Sequence, residues 1–280
     1  MEAWVNLPIL PDLAGQTAVV TGGSGVLGAE FAKALSACGA KVAILTRREE
    51  SARAVLAQVE GDAAFFQADV TDQTSLQAAR QQVLARFGPP SILINGAGGN
   101  SPMATTEDEH YLATEGVKDF FELDARGLRQ VFDLNFHGAL LATQVFARDL
   151  IGQPGACVVN ISSMSAYRPL TKIPAYSGAK AALQNLTQWL ATYFAPAGLR
   201  VNAIAPGFFV TNQNRDMLYD GAGQPTPRTE KILRATPMGR FGEPEELLGT
   251  LLYLVSPQAS GFVTGVVIPV DGGFSAYAGV

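Results

Sequence analysis

The sequence predicts a single-domain α/β fold, in which a doubly wound parallel sheet of about seven strands carries helices on both faces. Three observations lead there. From Gln16 onward, short apolar runs rich in β-branched residues alternate with helix-length amphipathic segments. The runs lack the polar alternation of a half-exposed strand, which implies burial on both sides and hence a parallel sheet. No internal repeat and no interdomain linker interrupts the 280 residues, a length that suits one well-cored domain.

TAVVT (17–21) reads as the first strand, followed by a helix to about Cys38. KVAILT (41–46), a helix over about 49–59 and AAFFQA (63–68) come next, then a helix over about 73–86 and SILIN (91–95). After an irregular stretch, one helix is expected over roughly 124–150, then the strand CVVNIS (157–162) and a helix containing Tyr176 and Lys180. LRVNAIA (199–205) and VVIPV (266–270) complete the sheet, with helices near 229–235 and 243–255 between them.

The turns at the strand ends carry the chemistry. TGGSGVLG, with Gly22, Gly25 and Gly28, joins the first strand to its helix. There the backbone of Ser24, Val26 and Leu27 could approach a pyrophosphate that the helix N-terminus also stabilises. Turns need glycine in any case, so its place at the first strand-to-helix turn gives the cluster its weight. The second strand ends at Thr46 and Arg47, with no carboxylate for a ribose 2′-hydroxyl; Arg47 either meets a 2′-phosphate or is a solvated helix-start charge. Asp69, before Val70, either accepts from an adenine amine or caps the next helix. Asn95, Gly96 and Ala97 let the backbone pass close to a cofactor, or simply turn the chain. Pro206 and Gly207 close another strand, with Thr211 four residues on.

Tyr176 and Lys180 stand at i and i+4 and so share a helical face. Ser162 and Ser163 end a strand on the side where an open α/β sheet binds ligands. A Ser, a Tyr and a Lys converging there suggest proton exchange with a carbonyl or alcohol oxygen. A cation about 4 Å from the phenol would lower its pKa from about 10 towards 7. Asn135, in an apolar helix, needs polar partners: backbone groups, or a water chain to Lys180.

Composition excludes other classes. A net charge of −5 and a pI near 5.1 argue against nucleic acid or an anionic membrane surface as partner. No apolar run approaches a membrane span, and the N-terminus lacks a signal pattern. Cys38 and Cys157 form no disulfide framework, which suits a reducing cytoplasm. His110 and His137 lack Cys or His neighbours, so no metal site is expected. Two long polar segments, near 99–119 and 212–240, read as substrate-loop insertions. The first is acidic at 107–109; the second carries Arg215, Arg228 and Lys231. With Arg168 and Lys172, Arg215 and Arg228 are the candidates to pair a substrate carboxylate. The apolar, glycine-rich C-terminus is expected to pack on a neighbouring subunit.

Taken together, TGGSGVLG, Asp69, NGAG, Asn135, Ser163 thirteen residues before Tyr176, YSGAK and PGFFVT resemble the short-chain dehydrogenase/reductase family. The resemblance covers nearly the whole chain from Gln16 and implies a Rossmann fold that binds NAD or NADP. It implies Tyr176 as general acid/base and Lys180 as the residue that lowers its pKa and binds the ribose. It further implies that Ser163, rather than Ser162, bonds the reacting oxygen, and that Asn135 holds a relay water. Gly22, Ser24, Gly25, Val26, Leu27 and Gly28 would contact the dinucleotide, as would Arg47, Asp69, Val70, Asn95, Gly96 and Ala97. Pro206, Gly207 and Thr211 would close over it. The pattern departs from the TGxxxGxG of shorter members, because Val26 stands where glycine would be. Thr46 and Arg47 tilt the expectation towards NADP.

Within the family, LTKIPAYSGAKAAL, IAPGFFVTNQN, TPRTEKIL, TPMGRFGE and PVDGGFSAYAGV are similar to the D-mannonate oxidoreductases (fructuronate reductases). That likeness implies interconversion of D-fructuronate and D-mannonate by a cytoplasmic homo-oligomer, tetramer or dimer. The alternatives are another carbonyl, such as a ketose, polyol, gluconate-type keto acid or 3-oxoacyl thioester, and a non-catalytic dinucleotide-binding protein.

Overall fold

The structure, a computed structural model, describes residues 10–210, 218, 219, 221 and 223–279. Its sheet is parallel throughout, in the order β3-β2-β1-β4-β5-β6-β7. The strands are β1 (Thr17–Thr21), β2 (Lys41–Thr46), β3 (Ala63–Gln67), β4 (Ile92–Asn95), β5 (Cys157–Ile161), β6 (Arg200–Pro206) and β7 (Val267–Val270). Each lies within one or two residues of its predicted run. Winding turns back between β1 and β4, where Thr21 pairs with Asn95, so the crevice for a ligand opens at the carboxyl ends of those strands.

Continuous apolar strands feed two cores. Val20, Ile94 and Val159 point to one face, covered by α1 (Val26–Ala37) and α8 (Leu248–Val255) through Phe31, Leu35, Leu251 and Leu252. Val19, Leu93 and Val158 point to the other, covered by α3 (Gln73–Phe87), α5 (Gly138–Leu150) and α6 (Pro174–Phe194) through Leu76, Val83, Phe146 and Leu190. Each such side chain, fully buried, contributes about 1.5–3 kcal/mol. Helix starts follow capping chemistry. Asp72 accepts from Thr74 N–H ahead of α3, and Pro174 occupies the first turn of α6, where its missing N–H costs nothing.

Two elements differ from expectation. The helix after β3 caps on Asp72 and not on Asp69. The helix expected over 124–150 is α4 (Ala125–Phe132), then a π-helical turn (Asp133–His137), then α5. The extra residue of a π turn has no signature in hydrophobic period, and such turns gather at functional sites. Within the chain, Phe274 of the C-terminal tail meets Phe208 edge-on at 5.4 Å, and Arg168 Nε donates to Ser275 O. Asp271 bends the tail back by accepting from Gly273 and Ser275 N–H. No helix among the described residues is long and apolar enough to cross a membrane.

Candidate active site

A cleft of about 370 Å³ opens at the carboxyl ends of β1, β4, β5 and β6. Gly22, Gly25, Val26, Leu27 and Gly28 form one end of it, Ser163, Tyr176 and Lys180 the other, and Pro206 and Gly207 its rim. Gly25 is the N-cap of α1, with no side-chain cap and no acidic residue in the first turn. The orphan N–H groups and the positive end of the helix dipole are therefore open to an anion, as a pyrophosphate requires. A Cβ on Gly28 would lie 2.8 Å from Gly23 Cα and closer still to the Gly22 carbonyl oxygen. Only glycine permits this turn. Ser24 Oγ donates to Thr46 Oγ1 and accepts from Ser51 Oγ, tying the turn to the end of β2.

Arg47 and Asp69 come together in a separate hollow with Thr71 and Leu134, on the far side of the β1–β4 crevice. Burial works to raise the Asp69 pKa, but two hydrogen bonds from Thr71 and the Arg47 charge outweigh it and hold the carboxyl below its usual value. An ionised acceptor beside a hollow is what an adenine amine needs. Val70 is buried and packs against Gly138 at the π turn.

The Asn95 side chain does not reach the cleft. Its Nδ2 donates to Thr143 Oγ1 and Asn160 Oδ1 in the core. Gly96 lines the cleft, and Gly96 and Ala97 N–H both donate to Thr21 Oγ1, the first residue of TGGSGVLG. Thr211 and Arg215 lie outside the described residues.

At the other end, Ser163 and Tyr176 line the cleft together and the Ser163 hydroxyl works to lower the phenol pKa, whereas Ser162 turns its hydroxyl to the Lys180 carbonyl in α6. Ser165, unforeseen from sequence, donates both its N–H and its hydroxyl to Ser163 Oγ. With two donors from Ser165 on its oxygen, Ser163 keeps its own proton for an acceptor in the cleft. Lys180 Nζ, fully enclosed, donates to Ile161 O at 2.7 Å and lies 5.6 Å from the Tyr176 ring centre. Asn135 spends its side chain on backbone: Nδ2 donates to Gly99 O and Val131 O, and Oδ1 accepts from Gly99 N–H. Gly98 threads between the two, for a Cβ there would sit 2.8 Å from Asn135 Oδ1 and 3.1 Å from Lys180 Nζ.

Burial governs the electrostatics of this pair. Burial pushes the Tyr176 phenol above its ordinary value, and the Ser163 hydroxyl offsets this only in part. Desolvation acts on the Lys180 ammonium as well and lowers its pKa to about 8. Treating Lys180 as one charge at a fixed distance leaves out the dehydration of both groups.

Residues 23–275 match the family described as enoyl-(acyl carrier protein) reductase. The chain belongs to the short-chain dehydrogenase/reductases. It is 52% identical to the uncharacterised oxidoreductase UxuB of Bacillus subtilis (strain 168), over 98% of this chain and 100% of that one. It is 36% identical to galactitol 2-dehydrogenase (L-tagatose-forming) of Cereibacter sphaeroides, over 95% and 97%. A crystal structure of a candidate D-mannonate oxidoreductase from Haemophilus influenza with bound NAD superposes with a TM-score of 0.94 at 51% identity. It covers 96% of this chain and 98% of that one. The protein is thus an NAD(P)-dependent oxidoreductase of this family.

Proposed function

We propose that this short-chain dehydrogenase/reductase interconverts D-mannonate and D-fructuronate. The observation that carries a carbonyl–alcohol reaction is the convergence of Ser163 and Tyr176 in the dinucleotide cleft, with Lys180 enclosed behind them. The sugar-acid assignment draws on the likeness to the NAD-bound candidate D-mannonate oxidoreductase. The cleft fits a dinucleotide by its own chemistry: an uncapped helix N-terminus for the pyrophosphate and an ionised Asp69 for the adenine. Bound there, the nicotinamide supplies the acceptor or donor of hydride, and in its oxidised form a positive charge.

In the oxidative direction Tyr176 takes the substrate hydroxyl proton as the carbon gives up hydride. Ser163 holds the oxygen as it becomes a carbonyl. Lys180, balanced between charged and neutral near pH 8, stabilises the phenolate and passes the proton outward along the face that Asn135 orders. In reduction the same groups run in reverse. The relative with bound NAD supports that dinucleotide, while exposed Arg47 beside Asp69 leaves a place for a 2′-phosphate. A second reading, oxidation of an uncharged polyol, is favoured by the galactitol dehydrogenase relative. We further propose that copies associate: Trp189 and Tyr193 stack at 4.8 Å on α6 with more than half of each exposed, an apolar surface that a partner would cover.

A spectrophotometric panel of sugar acids, polyols, ketoses and oxoacyl thioesters, run with both dinucleotides in parallel, tests the assignment. D-mannonate and D-fructuronate should show the highest kcat/KM. A polyol or thioester that outruns them refutes it.

A further inference from the structure

Beyond the catalytic cleft a second pocket, of about 400 Å³, opens on the other side of Phe208, whose side chain lines both. Three segments far apart in sequence build it: Glu109 from the first insertion, Leu170 to Lys172 ahead of α6, and Arg228 with Lys231 from α7 (Pro227–Ala235). Three cations therefore share the pocket with one carboxylate. That carboxylate is already engaged, since Glu109 Oε1 lies 2.9 Å from Lys231 Nζ. The Lys231 hydrogen bond keeps Glu109 below its ordinary pKa, so it stays ionised and offsets one cation. Two positive charges remain without a carboxylate.

One of them, Lys172, is held by its surroundings. Lys172 has φ +72°, the left-handed region that a residue with a Cβ enters only when its surroundings impose it. The insertion imposes it from two sides: Thr106 N–H donates to Lys172 O at 2.9 Å, and Lys172 Nζ donates to Glu107 O at 2.8 Å. Its hydrogen-bond acceptor is a neutral carbonyl, and the Glu109 carboxylate, paired with Lys231, acts on its charge only through space. Arg228 stands on the first turn of α7, with no side-chain partner among the described residues. Arg168, by contrast, is held on Ser275 O in the tail.

We propose that this pocket is the carboxylate subsite of the substrate, with Arg228 as its bidentate partner and Lys172 as the second cation. The proposal rests on the sugar-acid reading above. In D-fructuronate the carboxylate ends the carbon chain and the reacting carbonyl lies next to the opposite end. An anion site one side chain away from Ser163 and Tyr176 matches that layout. Guanidinium meets carboxylate through two parallel N–H···O bonds, and a fixed ammonium adds a third. The acidic run 107–109, which the sequence suggested would repel such a group, instead supplies the contacts that hold the cations in place. An uncharged polyol or an acyl thioester has no group to compensate them.

Calorimetric titration of D-mannonate into enzyme saturated with reduced dinucleotide tests this without relying on turnover. Wild type, Arg228→Gln and Lys172→Met are compared, with D-mannonamide as the uncharged ligand of equal size. Wild type should bind D-mannonate well ahead of D-mannonamide. Each substitution should weaken D-mannonate by about 10- to 150-fold, the range of one charge-assisted hydrogen bond, and leave D-mannonamide nearly unmoved. The uncharged ligand also reports whether a variant has kept its fold. The proposal is overturned if wild type does not distinguish the two ligands, or if the variants keep D-mannonate affinity or lose both ligands alike. Tight, substitution-sensitive binding of D-mannonate that is never turned over would instead refute the proposed reaction and leave the subsite standing.

Discussion

In the proposed reaction, Tyr176 depends on a hydroxyl two steps away. Ser165 fills the acceptor positions of Ser163, which leaves the Ser163 proton for the cleft, where it works to lower the phenol pKa and favour its ionised form. Replacing Ser165 by Ala frees Ser163 to rotate towards other acceptors. One neutral hydrogen bond is worth about 1 kcal/mol, or somewhat under one pH unit. The sign follows from chemistry: a Tyr176 pKa raised further leaves less phenolate at a given pH. Oxidation, which needs the base, should lose rate on the acid side, with its kcat/KM profile displaced upward by about half to one pH unit. Reduction, which needs the neutral phenol, should be spared. A Ser165→Ala enzyme with an unshifted oxidative profile would show that Ser165 only packs.

At the scale of elements, the turn between β1 and α1 leaves no room for adjustment, since the neighbours of Gly28 are backbone atoms of Gly22 and Gly23. Gly28→Ala must displace the start of α1 and with it the N–H groups open to the pyrophosphate. Overpacking of this kind costs about 1–3 kcal/mol. Dinucleotide affinity, read by fluorescence titration, should fall by about tenfold or more with a lower Tm; unchanged affinity would remove this turn from the site. Such a turn was legible in the sequence because several glycines between a strand and a helix leave the backbone bare for a ligand. The strands were legible because buried runs are continuous in the chain. The π turn at Asp133–His137 was not legible, as it inserts one residue without breaking the apolar pattern. Nor was the inward turn of Asn95, whose amide pairs with Asn160, 65 residues away.

For the whole molecule, the site is a convergence that no local pattern displays. Gly22 and Gly28 follow β1, Ser163 follows β5, Tyr176 and Lys180 begin α6, and Gly207 follows β6. Sequence spacing could place Tyr176 and Lys180 on one helix face; it could not show that burial would act on both, nor that Glu109, Lys172 and Lys231 would share a wall. The account therefore turns on Tyr176 as the proton-transferring group of a dinucleotide-dependent reaction. Steady-state turnover of Tyr176→Phe on D-mannonate, with dinucleotide affinity measured on the same preparation, tests it most directly. The substitution removes one oxygen and leaves the ring. With general acid/base catalysis worth about 10²- to 10⁴-fold, kcat should fall by at least about 10²-fold while the dinucleotide binds as in wild type. Turnover near the wild-type rate would contradict the mechanism.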